Sequence, residues 1–392
     1  MTRHSKFRII AVLFSIFFLT SFIEAEIIQD NDFKFSLDLP EGYKIENYTE
    51  DGMSYIFSHP NIPVTLALRI YYDEAFSSAP DVLKMALGKL SAKGDIDTIS
   101  WSAEKCSISN FSMTLDQNYS GWAVCAPSQI AHAFVTLICY APADKINACQ
   151  QFIISSLNSL CINEDYYYTP GIITTYAYPP TGRKTVSAKV NGRQIVSSID
   201  KSDVEASKFL VDLEFGVFTL YTKMPDWKEA WQRYYRMLYR DNCGRTVQFS
   251  KDIYKALYPD AKIKNSENPD LAYAQMLLSW VQGFNYKRST GKNNSDFTSL
   301  PAVLTGEGND CDSRSMLIAV LLNNIGIKSL MLISREYSHA LAATSINAPG
   351  QTYKLKDDGK EYLLGETTSK VTWGMIAQEH ADRTKWIPIT LP

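Results

Sequence analysis

Gly308-Asn309-Asp310-Cys311 places a cysteine at the end of a glycine-rich turn, just before the apolar run Met316–Leu322. That run predicts a helix starting at Cys311. A helix start presents unpaired N–H groups and partial positive charge, which favour thiolate over thiol. The thiolate is the nucleophile, so a catalytic cysteine can be built here. His339 opens the strand-like run His339–Thr344, and Glu366 ends the run Glu361-Tyr-Leu-Leu-Gly-Glu366. Cysteine, histidine and carboxylate in this order can supply a nucleophile, a general base and a group that orients the base. The matching chemistry is attack on a carboxamide or peptide carbonyl through a thioacyl intermediate. Water resolving it gives hydrolysis and an amine gives transfer; these residues do not choose between the two.

Several elements must position these groups. Asn268-Pro269 reads as an N-cap followed by proline at the first helical position, opening a helix to about Gly283. A polar loop over residues 288–299 precedes the cysteine turn. The cysteine helix ends near Asn324-Ile-Gly326, with glycine as its stop. Ser329–Ser334 reads as a buried strand, and neighbouring antiparallel strands about 5 Å apart would bring His339 and Glu366 together. Asp357, Asp358 and Glu361 are further acids near Glu366 in the sequence.

The cysteine turn, with the ordered histidine and acid, resembles the transglutaminase-like superfamily over roughly residues 268–370. Glu366 stands where that family carries Asp, in Gly-Glu-Thr-Thr. The resemblance implies a papain-like core, a Cys311–His339–Glu366 triad and cleavage of an amide or peptide bond. It also implies Gln282 as an oxyanion donor beside the Cys311 N–H, from the segment Val281-Gln282 followed by Tyr286. Two other functions remain open: a non-catalytic envelope binding or scaffold protein that keeps the fold, and a true protein-glutamine amine transferase.

Arg3, Lys6 and Arg8, the apolar run Ile9–Phe22 and Ala25 read as a signal peptide over 1–25. The mature chain is then expected to be exported, periplasmic or secreted, and to act on a peptide or protein, the cell envelope being one source. No later stretch is long and apolar enough to span a bilayer. The formal net charge of −3 argues against nucleic acid as a partner. No compact Cys/His spacing points to a metal, and no cofactor motif is present. Seven cysteines leave six if Cys311 stays free, enough for up to three disulfides; the alternative is buried small apolar side chains.

The expected class is α+β: an N-terminal α/β module over 26–162, then a transglutaminase-like domain over 163–392. Strands are expected near Phe33–Leu39, Val64–Tyr72, Cys106–Leu115, Gly121–Ala126 and His132–Tyr140, with helices over Ala79–Ala92 and Ala143–Leu160. The opening Leu39-Pro-Glu-Gly turn and the closing helix faintly resemble PsbP-like modules. Between the halves, Asn163–Gly171 reads as a linker, Lys189–Val196 as a hairpin turning at Asn191-Gly192, and Phe209–Tyr221 as a strand. Asp226–Tyr239 reads as an amphipathic helix, and Asp241–Gly244 as a turn. Arg233, Arg236 and Arg240 would line either an anion-facing groove or a solvated face.

Overall fold

Alternating apolar residues build the first half of the chain. The computed structural model describes residues 27–162, 168–288 and 294–390. The signal-peptide residues, 163–167 of the expected linker and 289–293 of the expected loop lie outside them. Strands β1 (Ile28–Asp30), β2 (Phe35–Leu37), β3 (Lys44–Tyr48), β4 (Ser54–Ser58) and β5 (Thr65–Tyr72) lead to helix α1 (Ala79–Lys89). Next come β6 (Ile96–Trp101), β7 (Glu104–Thr114), β8 (Asn118–Pro127), β9 (Ala133–Pro142), helix α2 (Ile146–Asn158) and β10 (Leu160–Cys161). Seven strands form an antiparallel sheet in the order β3-β4-β5-β9-β8-β7-β6. Helix α1 packs with Phe111 and Ala123 on one face, while α2 packs with Leu66, Leu137 and Val124 on the other. Covered on both sides, β9 is buried from Ala133 to Cys139 and reads as a continuous apolar run.

The second half begins with α3 (Ile172–Ala177) and the hairpin β11 (Arg183–Val190) and β12 (Arg193–Asp200). Helices α4 (Asp203–Tyr221), α5 (Trp227–Lys264), α6 (Pro269–Val281), α7 (Leu300–Leu304) and α8 (Cys311–Asn323) follow. Strands β13 (Ser329–Ser334), β14 (His339–Thr344), β15 (Thr352–Lys354), β16 (Glu361–Gly365) and β17 (Ile387–Ile389) make a second antiparallel sheet, ordered β15-β16-β14-β13-β17. The chain is thus α+β. Among the described residues no helix is long and apolar enough to cross a membrane.

Two of the expected secondary-structure elements differ, for identifiable reasons. Phe209–Tyr221 belongs to helix α4, not to a strand. Asp212, Glu214 and Gly216 alternate with apolar residues and imitate a two-residue period. Burial instead follows Ala206, Leu210, Leu213, Val217 and Tyr221, the stripe of a helix. Asp241–Gly244 lies inside the 38-residue α5 and makes no turn. Asp241 pairs with Arg245 one helical turn on, at 2.8 Å, and Asn242 Nδ2 donates to the Leu238 carbonyl at 2.7 Å. Gly244 serves close approach: a Cβ there would meet the Tyr168 carbonyl oxygen at 2.4 Å.

The arginines of α5 line neither an anion groove nor a solvated face. Arg233 donates to the Asp38 carbonyl at 2.7 Å and to Glu214 at 2.8 Å. Arg236 grips the Asp38 carboxylate with two bonds of 2.8 Å. Arg240 donates to the carbonyls of Asn158, Ser159 and Leu160 at 3.1, 3.0 and 2.6 Å. All three arginines are buried, and they tie α5 to the first half of the chain. Burial raises the Asp38 pKa, but Arg236, then Arg233 and Arg240, outweigh it and hold it below the usual value. All seven cysteines are buried free thiols, which matches the small-apolar reading and not a disulfide framework.

Candidate active site

Helix α8 begins where Asp310, in extended backbone, caps it: Asp310 Oδ1 accepts from the Ser313 N–H at 3.1 Å and the Ser313 hydroxyl at 2.8 Å. Cys311 is therefore the first helical residue, and its N–H has no intrahelical partner. The turn before it runs close against the exit of α6. Lys287 N–H donates to the Asn309 carbonyl at 2.9 Å, and Asn309 N–H to that of Asn285 at 3.3 Å. A side chain at Gly308 would collide with Lys287, its Cβ only 2.8 Å from the Lys287 Cβ.

His339 opens β14, and Ala342 pairs with Gly365 of β16. One step further in that register, Glu366 faces Leu341, on the same side of the sheet as His339. His339 Nε2 and Glu366 Oε2 lie 2.8 Å apart. The other carboxylate oxygen accepts from the Thr368 N–H at 2.7 Å and the Thr368 hydroxyl at 2.6 Å. Burial works against the Glu366 charge, but the bonds from His339 and Thr368 prevail and draw its pKa down to about 2. An ionised carboxylate only accepts, so Nε2 is the donor in this bond and Nδ1 is the ring nitrogen left to act on another group. The imidazole is flanked by His380 and Trp386, with ring centroids 5.0 and 6.4 Å away.

Cys311 is 1% exposed. Among the described residues its thiol bonds to Asp312 Oδ1, at 3.3 Å, and not to His339. The Ala340 N–H, one residue beyond His339, lies close enough to favour the thiolate. Burial pushes the thiol pKa well up, helped by the charges of Asp312 and Asp310, against the expectation that the helix start would lower it. Asp312 also accepts from the buried Tyr235 hydroxyl. Burial and the neighbouring Asp312 lift the Asp310 pKa to about 7, and burial raises that of Asp312 too. The helix dipole is thus opposed at short range by two acids on either side of the sulfur.

Gln282 does not stand as an oxyanion donor in this structure. Its amide nitrogen donates to the carbonyls of Glu366 and Val371 at 2.8 and 3.0 Å, which commits both N–H protons. It fixes the backbone that carries the acid, a positioning role.

Arg314 went unrecognised as part of this assembly. It is 1% exposed and bonds Asn309 Oδ1 at 2.8 Å, the Phe284 carbonyl at 2.9 Å and the Thr367 carbonyl at 3.3 Å. The cysteine turn, the end of α6 and the residue after Glu366 are thereby clamped by one side chain. An arginine just before an otherwise apolar helical run is the signal that could have pointed to it. The ligand atoms of His339, Glu366 and His380, and those of Asp310, Cys311 and Asp312, each lie within 4.8 Å of one another. Hydrogen bonds within each group already engage His339 with Glu366 and Cys311 with Asp312.

No family model and no curated protein matches the chain. Solved structures match its N-terminal third. Cyanobacterial PsbP (CyanoP) from Synechocystis sp. PCC 6803 is 11% identical, with TM-score 0.30, over 36% of this chain and 95% of that one. LpqN of Mycobacterium tuberculosis, involved in cell envelope biogenesis, is 13% identical, with TM-score 0.26, over 35% and 90%. The Saccharomyces cerevisiae Ran-binding protein Mog1p is 8% identical, with TM-score 0.28, over 35% and 94%. None of these three proteins is described as a transglutaminase, so that resemblance rests on the residues of the C-terminal half.

Proposed function

We propose that this chain is an exported thiol hydrolase that cleaves an amide or peptide bond, with Cys311 as nucleophile, His339 as base and Glu366 as orienting acid. The observation that carries the reading is the 2.8 Å His339–Glu366 bond, with the next residue of the strand, Ala340, bringing its N–H to the Cys311 thiol at the start of α8. A papain-like core would need a cysteine-bearing helix packed on an antiparallel sheet that carries the other two groups, and the packing of α8 on β13 and β14 supports this reading.

In this reading the thiol turns from Asp312 to His339 when substrate enters. His339 Nδ1 takes the thiol proton as Sγ bonds to the carbonyl carbon and the C=O π pair moves onto oxygen. The Cys311 N–H is placed to receive that oxygen. Collapse re-forms C=O, breaks the C–N bond and passes the Nδ1 proton to the departing amine. Water then attacks the thioester and gives a proton to Nδ1; the C–S bond breaks, and the sulfur recovers that proton. Because the resting thiol is disfavoured as thiolate, proton removal accompanies attack and no standing ion pair is needed.

A second reading has its own support. The near-complete burial of Cys311 and its bond to Asp312 fit a non-catalytic binding protein that keeps the fold. Iodoacetamide labelling with peptide mapping across pH, in wild type and His339→Ala, separates the two. The hydrolase reading expects selective, His339-dependent alkylation of Cys311. An inert Cys311 in the folded protein removes it.

A further inference from the structure

The hairpin β11–β12 turns at Asn191-Gly192, both at positive φ, which is the two-residue turn favoured between antiparallel strands. Such a turn makes Val190 and Arg193 a hydrogen-bonded pair. Alternation then points the N–H and C=O of Thr185, Ser187 and Lys189 away from β12. Among the described residues the sheet has only these two strands, which leaves that edge without a strand partner. Among the described residues no backbone bond joins those three to another element.

Two cavities run along this edge. One, of about 460 Å³, is lined by five consecutive residues, Lys184 to Ala188. Successive strand side chains point to opposite faces, so five in a row lining one space means the space lies along the edge. The other, of about 450 Å³, carries on past Lys189 and Asn191. Trp280 and Phe284 wall both, making one groove along β11. Its first cavity reaches Glu307 and Asn309, and Asn309 is two residues before Cys311.

The groove has a consistent chemistry. Val186 and Ala188 face inward, with the aromatic wall of Trp280 and Phe284 alongside. Lys184, Lys189 and Lys264 contribute exposed positive charge along its length, against Glu307 at the cysteine end. We propose that this groove takes an extended stretch of the substrate protein, alternating apolar and acidic residues, as a third strand on β11. The guest's apolar side chains would lie on Trp280 and Phe284, its acids would meet Lys189 on the opposite face with Lys184 at the far end of the strand, and main-chain bonds would hold it beside the cysteine turn. Cleavage of the bound strand rests on the hydrolase reading, whereas its binding does not.

The test is fluorescence anisotropy of a fluorescein-labelled (Glu-Val)4 peptide amide with the full-length protein carrying Cys311→Ala. Saturable binding that weakens as salt rises is expected. Ser187→Pro removes an edge N–H without touching the β12 ladder and should weaken binding at least tenfold. The exposed pair Lys184→Glu/Lys189→Glu should do the same and reduce the salt dependence. No saturable binding overturns the proposal, as does unchanged affinity in both variants; if Ser187→Pro fails to fold, the charge pair decides alone. Iodoacetamide reactivity of Cys311 is measured on unmutated protein in parallel. Peptide binding beside an inert thiol sinks the hydrolase reading and leaves the groove standing, whereas a reactive thiol without peptide binding sinks the groove alone.

Discussion

Removing the charge of Asp312 while keeping its shape should speed the alkylation of Cys311. The Asp312 carboxylate oxygen lies 3.3 Å from the sulfur. Two unit negative charges at that spacing repel by about 5 kcal/mol at an effective dielectric constant of about 20. This is an upper bound, because the Asp310 pKa is lifted to about 7 and burial raises that of Asp312, which weakens the standing negative charge. Even a third of it exceeds the roughly 1.4 kcal/mol that makes a factor of ten in thiolate population. In Asp312→Asn the side-chain oxygen still accepts from Tyr235, and the new amide can donate to the thiolate. The assay is the iodoacetamide rate at pH 7, with peptide mapping, in wild type and variant. Burial of the sulfur slows both proteins alike, so the ratio isolates the electrostatics. A rise of tenfold or more is expected. An unchanged or slower rate would refute the claim that the flanking acids hold this thiol protonated.

Contacts elsewhere in the chain set further expectations. The Glu366 pKa is lowered from 4.5 to about 2, so its contribution to stability is complete above about pH 4.5 and is lost as pH falls towards 2. That contribution is roughly 3 kcal/mol, and the gap in urea stability between wild type and Glu366→Gln should close over this window. Asp38→Ala takes the carboxylate from buried Arg236 and leaves Arg233 to Glu214; a loss of about 3–5 kcal/mol is expected in equilibrium unfolding. Gly244→Ala forces a methyl against the Tyr168 carbonyl and should cost about 1–3 kcal/mol, read as a lowered Tm.

Local signals carried much of this architecture. Asn268 caps α6 by accepting from Leu271 N–H, as its position before Pro269 implies. The Asn191-Gly192 turn likewise lies where its dipeptide predicts. The pairing of His339 with Glu366 was legible because a strand histidine and a strand-end acid need only adjacent strands to meet. The exposed or mixed strands β3, β4 and β6 gave too weak an alternation to be read. The hidden features depended on contacts distant in sequence. Nothing local to Arg236 announces Asp38, which lies 198 residues away. The reversal at Cys311 has the same origin: its helix position is local, whereas its burial depends on how α8 packs against the sheet. Gln282 fell to another long-range demand, the carbonyls of Glu366 and Val371, 84 and 89 residues on.

The three arginines of α5 also bear on how such a chain can change over generations. Each reaches main-chain or side-chain oxygens contributed by the first half. A recombination event that exchanged the N-terminal portion for an unrelated one would take the Asp38 and Asn158–Leu160 oxygens from these guanidinium groups. Exchange of one half is therefore expected to require compensating changes in the other, first among them at Asp38 and on α5.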